Sequence, residues 1–287
     1  MRLNTGAGAI TSVSFNDDLS CLACATDDGY GIFLTMPLVR YCFRSFAGGG
    51  FSIVEMFGQS NVLALVGGRP SPPGFSESSV VLWDDAQGVR LWELQLYSPI
   101  TALCCRQGVM AVVMDQKVAV YRLSPDFSAV EFDRSFDTVA NPRGLCSISH
   151  ATSRSFQVLA MPGSREGSVR VLVDRRGAGQ DLTTLGAGKR GSADGAQAGQ
   201  CGGSRDGVPG DGRPGPSSWS SKLQEDVHKH PLACLALNRD GSYLATASQS
   251  GELIRLWGAH QARIHLVAPK CIRKPAISAN YLSLGTS

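Results

Sequence analysis

The strongest constraint on this chain is repetition. Short strand-like runs recur in groups of four, separated by turn residues. The first group is Ile10–Phe15, Cys21–Thr26, Gly31–Thr35 and Val39–Phe46, and the second is Phe51–Phe57, Val62–Val66, Val80–Trp83 and Val89–Leu96. The third is Ile100–Cys105, Val109–Met114, Val118–Leu123 and Val130–Phe136. A fourth begins with Leu145–Ser149, Val158–Met161 and Val169–Val173, and a fifth with Leu232–Leu237, Tyr243–Ala247 and Leu253–Trp257. An uninterrupted group takes roughly 40–45 residues, the period of propeller blades. Several third runs end on an aromatic or acidic residue, as in Val81-Leu82-Trp83-Asp84, Leu172-Val173-Asp174 and Arg255-Leu256-Trp257, the position of the WD dipeptide.

Composition agrees with strands joined by turns: 33 glycines, 43% hydrophobic residues and 18% charged residues. A net charge of +3 is too small to argue for nucleic acid, so any anion site must come from local placement of Arg and Lys. The nine cysteines sit mostly inside apolar runs, which suits small buried side chains in a reducing compartment. Cys21 and Cys24 form a CxxC, but no second CxxC or ordered His pair completes a zinc site. The first residues lack the apolar stretch of a secretory leader. No run of ~18 apolar residues is present to span a bilayer. The expectation is a cytoplasmic protein.

Two segments interrupt the rhythm. Residues 175–221 hold 13 glycines and almost no large apolar side chains, so they read as a disordered insert. Within it, Gly186-Ala187-Gly188-Lys189-Arg190 lacks the first glycine and the final Ser/Thr of a phosphate loop. After Gly258 the pattern offers only Arg263–Val267, a candidate outer strand. The fold class is therefore all-β, a WD40-type β-propeller with about five recognisable blades and a long disordered insert. The expected divisions are 1–174 for blades one to four, 175–221 for the insert, 222–267 for blade five and 268–287 for an irregular tail.

Several ordered motifs resemble the PROPPINs, the seven-bladed WIPI-type propellers of autophagy. They include Phe15-Asn16-Asp17-Asp18, Cys21-Leu22-Ala23-Cys24-Ala25-Thr26-Asp27-Asp28-Gly29-Tyr30, Gly48-Gly49-Gly50 and Val80-Val81-Leu82-Trp83-Asp84-Asp85. Asn141-Pro142-Arg143-Gly144-Leu145-Cys146 and Leu244-Ala245-Thr246-Ala247-Ser248 continue the match, and the short Pro70-Ser71-Pro72-Pro73 loop is similar to the WIPI3/WIPI4-like branch. The resemblance implies a peripheral adaptor on preautophagosomal or endosomal membranes. It would bind phosphatidylinositol 3-phosphate or the 3,5-bisphosphate and an autophagy lipid-transfer protein of the ATG2 type, and no nucleic acid. No cofactor is implied.

By that resemblance, His228, Thr246, Ser248, Gly251 and Arg255 match the first lipid site, while Glu252 stands where the family usually has Thr. Asn16 and Asp18 match a partner-binding turn; the alternative is an Asx turn, which both residues favour anyway. The paired-arginine motif of the family is missing after Trp257. Arg175-Arg176-Gly177 and Phe43-Arg44-Ser45 carry similar letters in other blades. Lipid binding is therefore expected to be weakened, and a protein-interaction scaffold without lipid affinity is the alternative. The end of similarity at Gly258 leads to the expectation of a truncated or frame-shifted reading frame, or a retained intron, and of an open arc of blades. No nucleophile elbow, metal cluster or paired catalytic carboxylates stand in a motif context, so an enzyme is not expected.

Overall fold

The computed structural model describes residues 8–106, 108–150, 157–174, 219–224, 227–251, 253–260 and 263–271. They form five four-stranded antiparallel sheets, each with its strands in chain order. Blade one is β1 Ile10–Phe15, β2 Cys21–Thr26, β3 Gly29–Thr35 and β4 Leu38–Ser45. Blade two is β5 Phe51–Met56, β6 Val62–Gly67, β7 Ser79–Asp84 and β8 Val89–Gln95. Blade three is β9 Ile100–Arg106, β10 Val109–Met114, β11 Lys117–Leu123 and β12 Val130–Asp137. Blade four is β13 Ser147–Ile148, β14 Gln157–Pro162, β15 Val169–Asp174 and β16 Trp219–Gln224. Blade five is β17 Leu232–Leu237, β18 Tyr243–Ser248, β19 Leu253–His260 and β20 Arg263–Cys271.

Burial explains why some strands read as unbroken apolar runs. Every residue of β6, β10 and β14 is buried, because each second strand is covered on both faces. Alternate side chains serve alternate neighbours. Val62, Ala64 and Val66 pack toward Ile100, Leu103 and Met110 of blade three, whereas Leu63 and Leu65 pack toward Ala23, Ala25 and Tyr30 of blade one. The same division places Met110 and Val112 against blade two, and Val109, Ala111 and Val113 against Leu159, Met161 and Leu172 of blade four. Val158, Ala160, Val171 and Val173 then meet Leu235, Leu244 and Trp257 of blade five. The core is thus a series of cores, one per blade interface.

The repeat is also visible in the backbone. A register shift interrupts the pairing of third and fourth strands at Ile32/Phe33, Leu82/Trp83, Val120/Tyr121 and Leu256/Trp257. Such bulges strengthen local twist.

Two boundaries differ from the sequence reading. Trp219–Gln224 is the outer strand of blade four, paired to β15 from Val169↔Gln224 to Asp174↔Trp219. The expected boundary at 221/222 therefore falls inside a strand. Only Trp219 carries a large aromatic signal there, buried beneath the Arg122 guanidinium at 5.1 Å. An outer strand needs few apolar residues, so hydrophobic periodicity is a weak guide to it. The last strand likewise continues past Val267 to Cys271, into the expected irregular tail. Residues 175–218, with the glycine-rich insert and Arg175-Arg176-Gly177, lie outside the described residues, as does Glu252. Among the described residues no helix is long and apolar enough to cross a membrane.

Candidate phosphoinositide cleft and partner turn

The blade-five cleft begins with a docking contact. The His228 N–H donates to the Gly167 carbonyl at 3.0 Å. Gly167 has φ +71°, and a Cβ there would stand 1.8 Å from the His228 carbonyl oxygen, so only glycine admits this approach. His228 is thereby fixed between the β14–β15 hairpin and β18.

Its ring is engaged. His228 Nε2 and Thr246 Oγ1 are 2.9 Å apart, and the Trp257 indole N–H donates to the same hydroxyl at 3.0 Å. The indole N–H can only donate, so the Thr246 oxygen accepts it, and the tautomer of His228 sets which of the ring nitrogen and the hydroxyl donates in the other bond. Desolvation, followed by the nearby Arg255 cation, pulls the His228 pKa down to about 4. His228 is therefore uncharged at neutral pH.

Arg255 is the cross-strand partner of Thr246 and is half-buried. It forms no salt bridge among the described residues. Ser248 lies two residues beyond Thr246 on the same face of β18, its hydroxyl 2.9 Å from that of Ser250. Gly251 closes the turn to β19 with φ +66°, its N–H donating to the Ser248 carbonyl at 3.0 Å. A Cβ on Gly251 would meet nothing within 4 Å, so this edge of the cleft is open. The structure brings His228, Thr246 and Arg255 together, with Ser248 and Gly251 at the rim. Sequence reading missed Trp257 as the third member of the buried hydrogen-bond chain. Its signal was the Trp at the WD-type position, paired with Leu244, two residues from Thr246, across β18 and β19.

Asn16 and Asp18 lie in the β1–β2 turn and have different roles. Asn16 is 1% exposed. Its amide oxygen accepts the Cys21 N–H at 2.9 Å, and its Nδ2 donates to Ser20 Oγ and the Gly58 carbonyl. Asp18 is exposed and accepts from the Ser20 N–H, the Ser20 hydroxyl and Gln59 Nε2. The Ser20 hydroxyl leads the causes that hold its carboxyl down at about 2. Blade five repeats this turn: Asn238 Oδ1 accepts the Tyr243 N–H at 2.8 Å and Asp240 accepts the Ser242 N–H at 2.9 Å. Asn16 therefore has a structural task, which leaves Asp18 as the accessible carboxylate of the pair. Leu19, φ 62° and 63% exposed, stands where blade five has Gly241.

Arg44, from the misplaced Phe43-Arg44-Ser45 motif, is occupied. It holds Asp85 with Nε–Oδ1 at 2.8 Å and Nη2–Oδ2 at 3.0 Å. The CxxC is divided between faces: Cys24 packs with Leu22 and Phe33, and Cys21 lies against the opposite core.

No protein-family model matches the chain. It is 27% identical over 253 residues to SVP1-like protein 2 of Schizosaccharomyces pombe, covering 87% of this chain and 56% of that protein. It is 28% identical over 251 residues to autophagy-related protein 18e of Arabidopsis thaliana, covering 87% and 54%. The chain thus spans little more than half the length of these relatives. Among solved structures, Kluyveromyces lactis Hsv2 superposes with a TM-score of 0.63 at 17% identity, covering 92% of this chain and 64% of that one. The complex of KlAtg21 with the coiled coil of AgAtg16 gives 0.62 at 15% identity, covering 91% and 70%. The five repeated blades and these likenesses converge: the chain is a β-propeller, similar over most of its own length to the SVP1-like and autophagy-related 18 proteins.

Proposed function

We propose that this chain is a non-catalytic adaptor in autophagosome formation whose blade-five cleft binds phosphoinositide headgroups weakly. The observation that carries the reading is the convergence of His228, Thr246 and Arg255 beside the open edge at Gly251. The weakness follows from charge. A phosphomonoester brings close to two negative charges, and a guanidinium can meet it with paired hydrogen bonds. The cleft presents Arg255, while His228 is neutral and already bonded. One cation and a ring of hydroxyls give a salt-sensitive site of modest affinity.

Flotation with vesicles containing phosphatidylinositol 3-phosphate, against vesicles with phosphatidylinositol alone, tests this reading. The expected result is partial enrichment on the phosphorylated lipid at low salt, reduced about tenfold in affinity by Arg255→Ala. Equal recovery on both vesicles would remove headgroup recognition. A second reading, an interaction scaffold without lipid affinity, is favoured by the blade-one turn. There the exposed, ionised Asp18 and the outward Leu19 offer a charged and an apolar contact side by side. Its partner would be an autophagy lipid-transfer protein of the ATG2 type. Total absence of flotation at low salt would select this second reading.

A further inference from the structure

Two thiols face each other between blades three and four. Cys104 lies on β9, and Cys146 immediately precedes β13. The two segments run close together: Gly144, φ +63°, packs so tightly on β9 that a Cβ there would stand 2.5 Å from the Ala102 Cβ and 2.8 Å from the Thr101 carbonyl oxygen. Two residues further along each segment stand Cys104 and Cys146, and the neighbouring Cys104 side chain, followed by burial, pushes the Cys146 thiol well above its usual range. Both are free, half-buried cysteines. Both line one cavity of about 130 Å³, whose wall also includes Glu55, Arg106 and Ser147.

The cavity suits a small polar oxidant. A water molecule occupies roughly 30 Å³ of liquid, so there is room for a peroxide beside the sulfurs. The Arg106 guanidinium on the same wall is paired with Asp17 at 3.1 Å. Burial raises the Glu55 carboxyl to about 8, so it remains protonated at neutral pH and adds no repelling charge. Three other cysteines among the described residues are arranged differently. Cys21 and Cys24 lie on opposite faces of β2, and Cys105 points away from Cys104 into the core between blades two and three.

We propose that Cys104 and Cys146 are a peroxide-sensitive pair that closes to a disulfide joining blade three to blade four. The Cys104 thiolate attacks one oxygen of hydrogen peroxide. The O–O bond breaks, and the departing hydroxide takes a proton to leave as water. Cys146 then attacks the resulting sulfenic sulfur. Its S–S bond forms as the S–O bond breaks, and the hydroxyl leaves with the Cys146 proton as a second water. Two thiols are oxidised and one peroxide is reduced to two waters. The new bond bridges two sheets that already meet through side-chain packing and the Arg122–Asp174 ion pair.

The reduced full chain, freed of reductant and treated with a small excess of hydrogen peroxide, provides the test. Peptide mapping without reduction is expected to show Cys104 and Cys146 joined, lighter by two hydrogen atoms. The thermal midpoint should rise by roughly 5–10 °C and return with dithiothreitol. In Cys146→Ser, the joined peptide should vanish and Cys104 should be trapped by dimedone as sulfenic acid. The proposal fails if both thiols of the unaltered chain stay open to alkylation at a dose that oxidises Cys234. It also fails if another cysteine pair supplies most of the cross-link. The measurement on the unaltered chain stands whether or not the variant folds.

Discussion

At the residue scale, the most informative side chain is His228, because its neutral state is built in by burial and by the Arg255 cation. A histidine held at about 4 in the folded protein and near 6.5 when unfolded binds more protons in the unfolded state between those values. Its contribution to stability is therefore present above the unfolded value and is lost as pH falls from 6.5 toward 4. Relative to His228→Gln, which keeps an acceptor but does not titrate, the native chain should lose about 2 kcal/mol between pH 7 and pH 4. Urea melts of both proteins at the two pH values check the difference; parallel pH profiles would show that the ring does not carry it. The sequence made this residue legible only through its resemblance to a family motif. Its hydrogen-bond partner was not legible, because the bond depends on a loop crossing from blade four, docked on Gly167, and on an indole from the next strand.

At the scale of elements, legibility followed burial. β6, β10 and β14 announce themselves because both faces are apolar, whereas β16 and the end of β20 do not, because outer strands obey looser demands. The blades are also joined by polar contacts that no short motif encodes. Tyr30 of β3 is fully buried, and its hydroxyl donates to Asp85 Oδ1 at 2.6 Å beside the Arg44 fork. Burial opposes ionisation of Asp85, yet Arg44 and Tyr30 together hold its carboxyl below the usual range. Asp85→Ala strands a buried phenol and a guanidinium, so a loss of about 2–3 kcal/mol is expected in urea unfolding. Asp85→Ala combined with Tyr30→Phe should recover part of that loss. If the double variant is no more stable than the single one, the phenol is not the group left unsatisfied.

At the scale of the whole molecule, the cores lie between blades, so each blade is stabilised by its neighbours. Leu82, fully buried between blades two and three, is a suitable probe. Leu82→Ala should cost about 2–5 kcal/mol. Amide hydrogen exchange should accelerate in blades two and three well before blade five, because coupling passes from neighbour to neighbour. Uniform acceleration in all five blades would instead mark a single cooperative unit.

The pairing order has a consequence for how the chain is made. Each hydrogen-bonded ladder joins strands that are adjacent in sequence, whether by a short hairpin or, between β15 and β16, across a longer excursion. Most ladders can therefore zip as soon as their own hairpin has left the ribosome, without waiting for distant partners. Blade four is the exception. Its outer strand arrives only after residues 175–218 have been synthesised, so the edge of β15 stays open longest during translation. Chaperone demand on the nascent polypeptide should peak in that interval.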